Sequence, residues 1–360
     1  EEYCFNSAII PINIKFENIS YNNFDVSWEI SEVNKNIENN DIIYIIEIRK
    51  EKDKERYKKI YEGNKMIYTV TLNPCVDCYV YTDKTEYGKT NRAERVAAVP
   101  GGKGVNVSVA LKRLGIESKA LLLCGGRTGQ TVTDGLESEG ITYEAVETAA
   151  DTRINVKLVC GGAVTEINAP GGPVTEDESR RFTALLHNVG KDDVVILSGS
   201  CAQGINRGAV LGAIKASGAY FAADTSGAFL KECAAASPDL IKPNYAELCA
   251  LLGYEPGKDG LEAALAGIPA KAVLLSDGEK GAYLYENGSL CHLPVNGAGF
   301  TVKNATGAGD SMIAGYLYGK RTGADPLACA VSAGSATAYC DGIFDKETFD
   351  RVLETYEGRI

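Results

Sequence analysis

Val194-Val195-Ile196-Leu197, a break at Ser198-Gly199-Ser200, a helical stretch over 205–217 and then Tyr220-Phe221-Ala222-Ala223 make one strand–helix–strand unit. Short, uninterrupted apolar runs suit strands buried on both faces, and a helix between two of them brings them parallel. The pattern recurs outward: 119–123 and 272–275 are further apolar runs, and 128–139 and 244–252 are further helical stretches. The expected fold is α/β, a mostly parallel central sheet with helices on both faces, which binds ligands beyond the carboxyl ends of its strands. Segments near 78–99 and 153–168 alternate like hairpins instead, and are expected to form a small β lid over that edge.

Composition changes at Lys65 and Met66. Residues 1–65 are rich in Ile, Asn, Lys and Glu with a single alanine, Ala8, whereas residues 66–360 are crowded with Ala and Gly. Alternation at Ile12-Asn13-Ile14-Lys15-Phe16 and Phe24-Asp25-Val26-Ser27-Trp28-Glu29, followed by the run 42–48, predicts an all-β N-terminal segment. Pro11, Val26-Ser27-Trp28 and Tyr44 together resemble the first half of a fibronectin type III domain. Such a sandwich needs about seven strands, so a truncated module, a fusion segment and a different small sheet all stay open. The net charge of −11 argues against a nucleic-acid surface, where Lys and Arg would have to replace counterions. Eleven scattered cysteines fit reduced thiols in a cytoplasm. No apolar run approaches the roughly 18 residues of a membrane span, and residues 1–15 lack a signal-peptide pattern.

Two loops carry the chemistry. Pro100-Gly101-Gly102-Lys103-Gly104-Val105-Asn106-Val107 leads into a helix expected over 108–114 and closed by Gly115. Its glycines let a ligand approach the backbone, and Lys103 near a helix start suits a phosphate or a polyhydroxylated group. Asn304-Ala305-Thr306-Gly307-Ala308-Gly309-Asp310-Ser311 precedes a second helix. Amides at Gly307, Ala308 and Gly309 can form an anion nest there, and Asp310 can take a hydroxyl proton. The plain alternatives are a flexible turn and an N-capped helix with an acidic first turn; the pair of loops disfavours both. Gly88-Lys89-Thr90 is not a P-loop end, because Asp83 stands where glycine is required, and no G-x-G-x-x-G follows a strand. Cys75-Val76-Asp77-Cys78 lacks a second pair, and only His187 and His292 are available, so zinc is not expected.

The two loops, with Asp224-Thr225-Ser226-Gly227, Lys242-Pro243-Asn244-Tyr245-Ala246-Glu247-Leu248 and Ser276-Asp277-Gly278-Glu279-Lys280-Gly281-Ala282 between them, resemble the signatures of the ribokinase-like PfkB carbohydrate kinases. The resemblance runs from Met66 to the end. Met66-Ile67-Tyr68-Thr69-Val70-Thr71-Leu72-Asn73-Pro74 followed by Asp77, Thr152-Arg153-Ile154-Asn155-Val156-Lys157-Leu158 and Thr165-Glu166-Ile167-Asn168 are similar to the 1-phosphofructokinase branch, with tagatose-6-phosphate kinases as near relatives.

This resemblance implies ATP-dependent phosphorylation of fructose 1-phosphate to fructose 1,6-bisphosphate. Asp310 would take the hydroxyl proton while Gly307, Ala308 and Gly309 hold the phosphoryl group. It places Asp77 and Asn106 on sugar hydroxyls beside Gly101 and Gly102, and Lys89, Arg92, Lys103 and Arg153 on the substrate's phosphate. Asn244 and Glu247 would order Mg²⁺, Glu247 through water, and Ser276, Gly278 and Gly281 would line the ATP. Departures from the family pattern are Cys201-Ala202-Gln203 and Asp277, neither of which removes a catalytic group, and Val109, which stands where many relatives have Arg and implies a weaker phosphate contact or a different substrate. Another ketose phosphate, or a sugar-phosphate sensor with an N-terminal interaction module, are the alternatives. Edge strands of the lid suggest a homodimer.

Overall fold

The computed structural model describes residues 66–356 apart from 162, 258, 259 and 298, together with the strand segments between residues 14 and 30. The chain divides into two units, residues 1–54 with 358–360 and residues 55–357. In the first, β1 (Ile14–Lys15) pairs antiparallel with β4 (Glu29–Ile30), and β2 (Ile19–Tyr21) with β3 (Phe24–Val26). The expected strand at 42–48, and most of the fibronectin-like pattern, lies outside the described residues.

In the second unit the central sheet runs from β17 (Ser289–Leu293) through β16 (Ala282–Glu286), β15 (Ala272–Ser276), β14 (Leu240–Ile241), β13 (Tyr220–Asp224) and β12 (Val194–Ser198). It continues through β5 (Ile67–Thr71) and β8 (Ser118–Cys124) to β9 (Thr142–Glu147). All neighbours are parallel except the last two strands on the β17 edge, which turn back antiparallel. Alternate side chains feed two cores. Ile67, Val194, Ile196, Ala222 and Leu274 pack on one side, and Val70, Val195, Leu197, Ala223 and Val273 on the other. Burying each large aliphatic side chain stabilises the fold by about 1.5–3 kcal/mol, which is why these strands tolerate no polar alternation.

A second, four-stranded sheet is ordered β11 (Ala163–Asn168), β10 (Arg153–Cys160), β6 (Cys75–Thr82), β7 (Arg95–Gly101). It springs from the carboxyl edge of β5, because only three residues separate β5 from β6. Its two faces differ. Cys75, Asp77 and Tyr79 share one face with Arg153, Asn155 and Lys157; Val76, Cys78 and Val80 share the other with Ile154, Val156, Leu158, Pro100, Ala98 and Val96.

The helix Lys103–Arg113 begins five residues before the expected 108, directly after Gly102, whose φ of 112° a side chain would oppose. Gly115 follows its end with φ 73°, the C′ role expected of it. The helix Ala308–Thr322 is buried along most of its length and packs on Pro326–Tyr339. A Cβ at Gly315 would press into Cys329 O, so glycine sets this close approach. Among the described residues no helix is long and apolar enough to cross a membrane, and all ten described cysteines are free thiols.

Candidate active site

Three adjacent parallel strands end in register on polar side chains: Thr71, Ser198 and Asp224 stand opposite one another. Asp224 is fully buried, and its Oδ1 lies 3.0 Å from Lys103 Nζ and 3.3 Å from Lys242 Nζ. Lys242 follows β14 and is itself buried. One acid stands between two ammonium groups; burial disfavours the Lys103 charge, but Asp224, then Asp310 and Glu247, outweigh it and hold the ammonium above its ordinary range. Thr71 Oγ1, Ser198 Oγ and Asp224 Oδ2 are buried without a hydrogen-bond partner. Orphaned oxygens at strand ends are costly unless something else meets them.

Asp310 lies in the first turn of the helix Ala308–Thr322 and is buried. Its Oδ2 accepts a hydrogen bond from Asn106 Nδ2 at 2.8 Å, so the two signature loops meet at this carboxylate. Burial pushes Asp310 up to about 6; Lys103 opposes that, Asp224 reinforces it, and Asn106 and Lys242 oppose it. Gly307 begins the helix with φ 82° and no side-chain cap. Asp310 does stand in the first turn, as the plain alternative has it, but the side-chain N-cap of that alternative is missing. Ala308 N–H donates to Ala305 O at 3.1 Å, while the N–H groups of Gly307 and Gly309 take no acceptor among the described residues. Lys242 Nζ stands 3.3 Å from where a Cβ on Gly309 would be, which brings a positive charge to the same turn.

Asp77 is buried on the polar face of the small sheet, close against the backbone of Gly101. Its Oδ1 accepts from Asn155 Nδ2 at 3.1 Å and from Cys75 Sγ at 3.5 Å. Arg153 lines a cavity with Asn73, Asp151, Gly171 and Gly172. Its guanidinium donates to Ala169 O at 2.8 Å and Asn73 O at 3.0 Å, while Nε is buried without a partner. Asn73 Nδ2 also donates to Ser200 Oγ at 3.1 Å.

On the other flank, Asn244 and Glu247 form a reciprocal capping box: Glu247 N–H donates to Asn244 Oδ1 at 2.8 Å, and Asn244 N–H to Glu247 Oε2 at 2.9 Å. A backbone bridge joins Asn244 to Ser276, where β15 gives way to the turn Gly278–Lys280 and Gly281. This brings the residues expected at ATP to one edge. Lys89 and Arg92 are not brought to the cluster; both are exposed on the connection between β6 and β7, and Lys89 Nζ lies 3.6 Å from Glu86. Lys103 is committed to Asp224, so the four cations expected at one phosphate are not gathered in this chain.

Asp224, Lys242 and Asn155 were not among the expected site residues. The available signal was a charge terminating an apolar strand at Asp224 and another directly after Leu240-Ile241, since such charges are rarely buried unless paired.

Known proteins resemble this chain in sequence and fold. A 1-phosphofructokinase of Bacillus subtilis (strain 168) is 34% identical over 300 residues, covering 80% of this chain and 97% of that protein. A D-tagatose-1-phosphate kinase of Bacillus licheniformis is 30% identical over 298 residues, covering 79% and 97%. The crystal structure of phosphofructokinase-2 from Escherichia coli in complex with substrates and products superposes with a TM-score of 0.77 at 26% identity, covering 81% of this chain and 99% of that one. The α/β architecture is ribokinase-like. Residues 67–340 match the profile of the pfkB family carbohydrate kinases, and the chain belongs to that family.

Proposed function

We propose that this carbohydrate kinase transfers the γ-phosphoryl group of ATP to the 6-hydroxyl of fructose 1-phosphate. The observation that carries the reading is Asp310, a buried carboxylate fixed by Asn106 beside an uncapped helix turn with free amides. Asp310 takes the hydroxyl proton, the sugar oxygen forms its bond to the γ-phosphorus, and the bond to the ADP oxygen breaks. Gly307 and Gly309 amides, with Lys242 beside them, meet the charge on the transferring group. Lys103, held by Asp224, keeps the loop of Gly101 and Gly102 seated over the strand ends. Asp77 takes sugar hydroxyls, and Arg153 offers its unpartnered Nε to the existing phosphate.

Glu247 keeps one carboxylate oxygen outside its capping box, and a hard cation such as Mg²⁺, which keeps several waters, would be met there through water; the described residues form no closed cluster of metal ligands. When bound, the cation neutralises phosphate charge. Ser276, Gly278 and Gly281 line the ATP edge.

The small sheet acts as the lid. Its apolar face packs at the base on the helix Gly126–Ser138, but Val96, Ile154 and Ile167 on the same face are 58%, 46% and 61% exposed. A second copy of the chain covers this face, which is a stronger reason for a homodimer than the strand edges. Ile167→Asp should then halve the mass seen by light scattering, and a wild-type monomer at all concentrations would contradict it. Lys89 and Arg92 serve the phosphate only if such pairing brings them there. The family profile begins at residue 67, so residues 66–360 alone are expected to retain turnover.

A tagatose phosphate is the second reading, supported by the Bacillus licheniformis relative. The deciding experiment is kcat/KM for fructose 1-phosphate, fructose 6-phosphate, tagatose 1-phosphate and tagatose 6-phosphate at saturating ATP. Fructose 1-phosphate should lead by at least about tenfold, which corresponds to roughly 1.4 kcal/mol of transition-state preference; a lead by any other of these sugars would overturn the substrate, and no turnover with any would overturn the enzyme.

A further inference from the structure

Asn155 is a buried residue that the mechanism above leaves without a task, and the following rests on that mechanism. The register of β10 with β6 sets Asn155 directly beside Asp77, and Arg153 beside Cys75, all on the polar face. Asn155 is 6% exposed. Its Nδ2 lies 3.1 Å from Asp77 Oδ1 and 3.1 Å from Cys75 Sγ. A carboxylate oxygen accepts only from a donor, so the amide orientation is forced. Asn155 Oδ1 is thereby left as a buried acceptor, and it has no partner. The Cys75 thiol, pushed up to about 12 by burial and next by the Asp77 charge, stays protonated and donates to Asp77.

One side chain therefore does two things. It points a donor at the carboxylate proposed to hold the sugar, and it presents an unsatisfied acceptor beside that carboxylate. A ketose phosphate offers neighbouring hydroxyls, each able to donate. We propose that Asn155 is a specificity-determining residue whose Oδ1 accepts a hydrogen bond from the sugar hydroxyl next to the one held by Asp77, while Nδ2 orients Asp77.

The test uses the intact chain, wild type and Asn155→Ala, with fructose 1-phosphate and its 3-deoxy and 4-deoxy analogues at saturating ATP. Wild type should lose about tenfold or more in kcat/KM on both deoxy analogues, one lacking the hydroxyl of Asp77 and the other that of Asn155, the size of a lost hydrogen bond in a closed site. Asn155→Ala should lose a similar factor on the parent sugar, and its parent-to-deoxy ratio should collapse towards one for one of the two analogues with the KM for ATP unchanged. An unchanged ratio, with all three sugars impaired alike, would overturn the proposal while leaving the kinase reading intact. An inactive wild type would instead remove the kinase reading and the proposal with it.

Asn155→Asp keeps the shape and decides the matter if the alanine variant does not fold. It sets a second carboxyl beside Asp77, and two such groups share one proton at acid pH. The ratio of its activity to wild type should rise as pH falls, because the protonated form again donates to Asp77. A ratio independent of pH would show that Asp77 is not oriented from this position and would overturn the proposal.

Discussion

At the carboxyl ends of the parallel strands, charge is sunk and paired: Asp224 and Lys242 are buried within 3.3 Å of each other, and Lys103 joins the group at 3.0 Å. On the connection between β6 and β7 of the small sheet, charges stand at the rim instead, where Lys89 and Glu86 are 69% and 49% exposed and 3.6 Å apart. Depth decides what each charge is worth. In the low-dielectric floor a pair interacts strongly but must be complete, since a lone buried ion is heavily penalised. At the rim, water screens the pair almost entirely. The floor is therefore suited to fixing a reacting group, and the rim to meeting a mobile one.

The largest effect should come from the floor carboxylate proposed as the base. Asp310→Asn keeps the shape and the Asn106 neighbour but removes the base, and should lower kcat by about 10²–10⁴-fold in a coupled ADP assay. Retention of full activity would break the distinction, because Asp310 would then be only another buried charge. Next, Asp224→Ala strands two ammonium groups in the floor and should destabilise the chain by about 3–5 kcal/mol in a denaturant titration. A smaller loss would mean that water reaches the cluster.

The pH dependence sharpens the same point. Burial raises Asp310 to about 6, so the base is ionised above that pH and protonated below it. The kcat at saturating sugar phosphate should fall as pH drops through about 6, and the residual activity of Asp310→Asn should lack that limb. The smallest effect belongs to the rim: Lys89→Ala should change stability by less than about 0.5 kcal/mol. A larger change would show that this lysine is covered, as pairing of two copies could do.

Periodicity made the central sheet legible. The runs at 194–197 and 272–275 each lie within strands just one residue longer, Val194–Ser198 and Ala272–Ser276, because strands buried on both faces have no polar alternative. The start of the helix Lys103–Arg113 was not legible. Gly102 begins it with an unusual φ rather than with a capping side chain, so no Ser, Thr or Asp announces it. At the site, Asp310 and the glycine turn were readable as one contiguous stretch. Lys103 pairing with Asp224, 121 residues apart in sequence, was not, since burial of a charge depends on a partner that only the sheet order supplies. Asn155 was hidden for the same reason: its neighbour Asp77 lies 78 residues away on another strand.

The central claim is that floor and lid together hand a phosphoryl group to a sugar hydroxyl rather than to water. Phosphorus NMR of the intact chain with magnesium, ATP and fructose 1-phosphate follows that transfer directly. The account predicts one fructose 1,6-bisphosphate for each ADP and almost no inorganic phosphate. Inorganic phosphate in place of the bisphosphate, or no ADP at all, would contradict it.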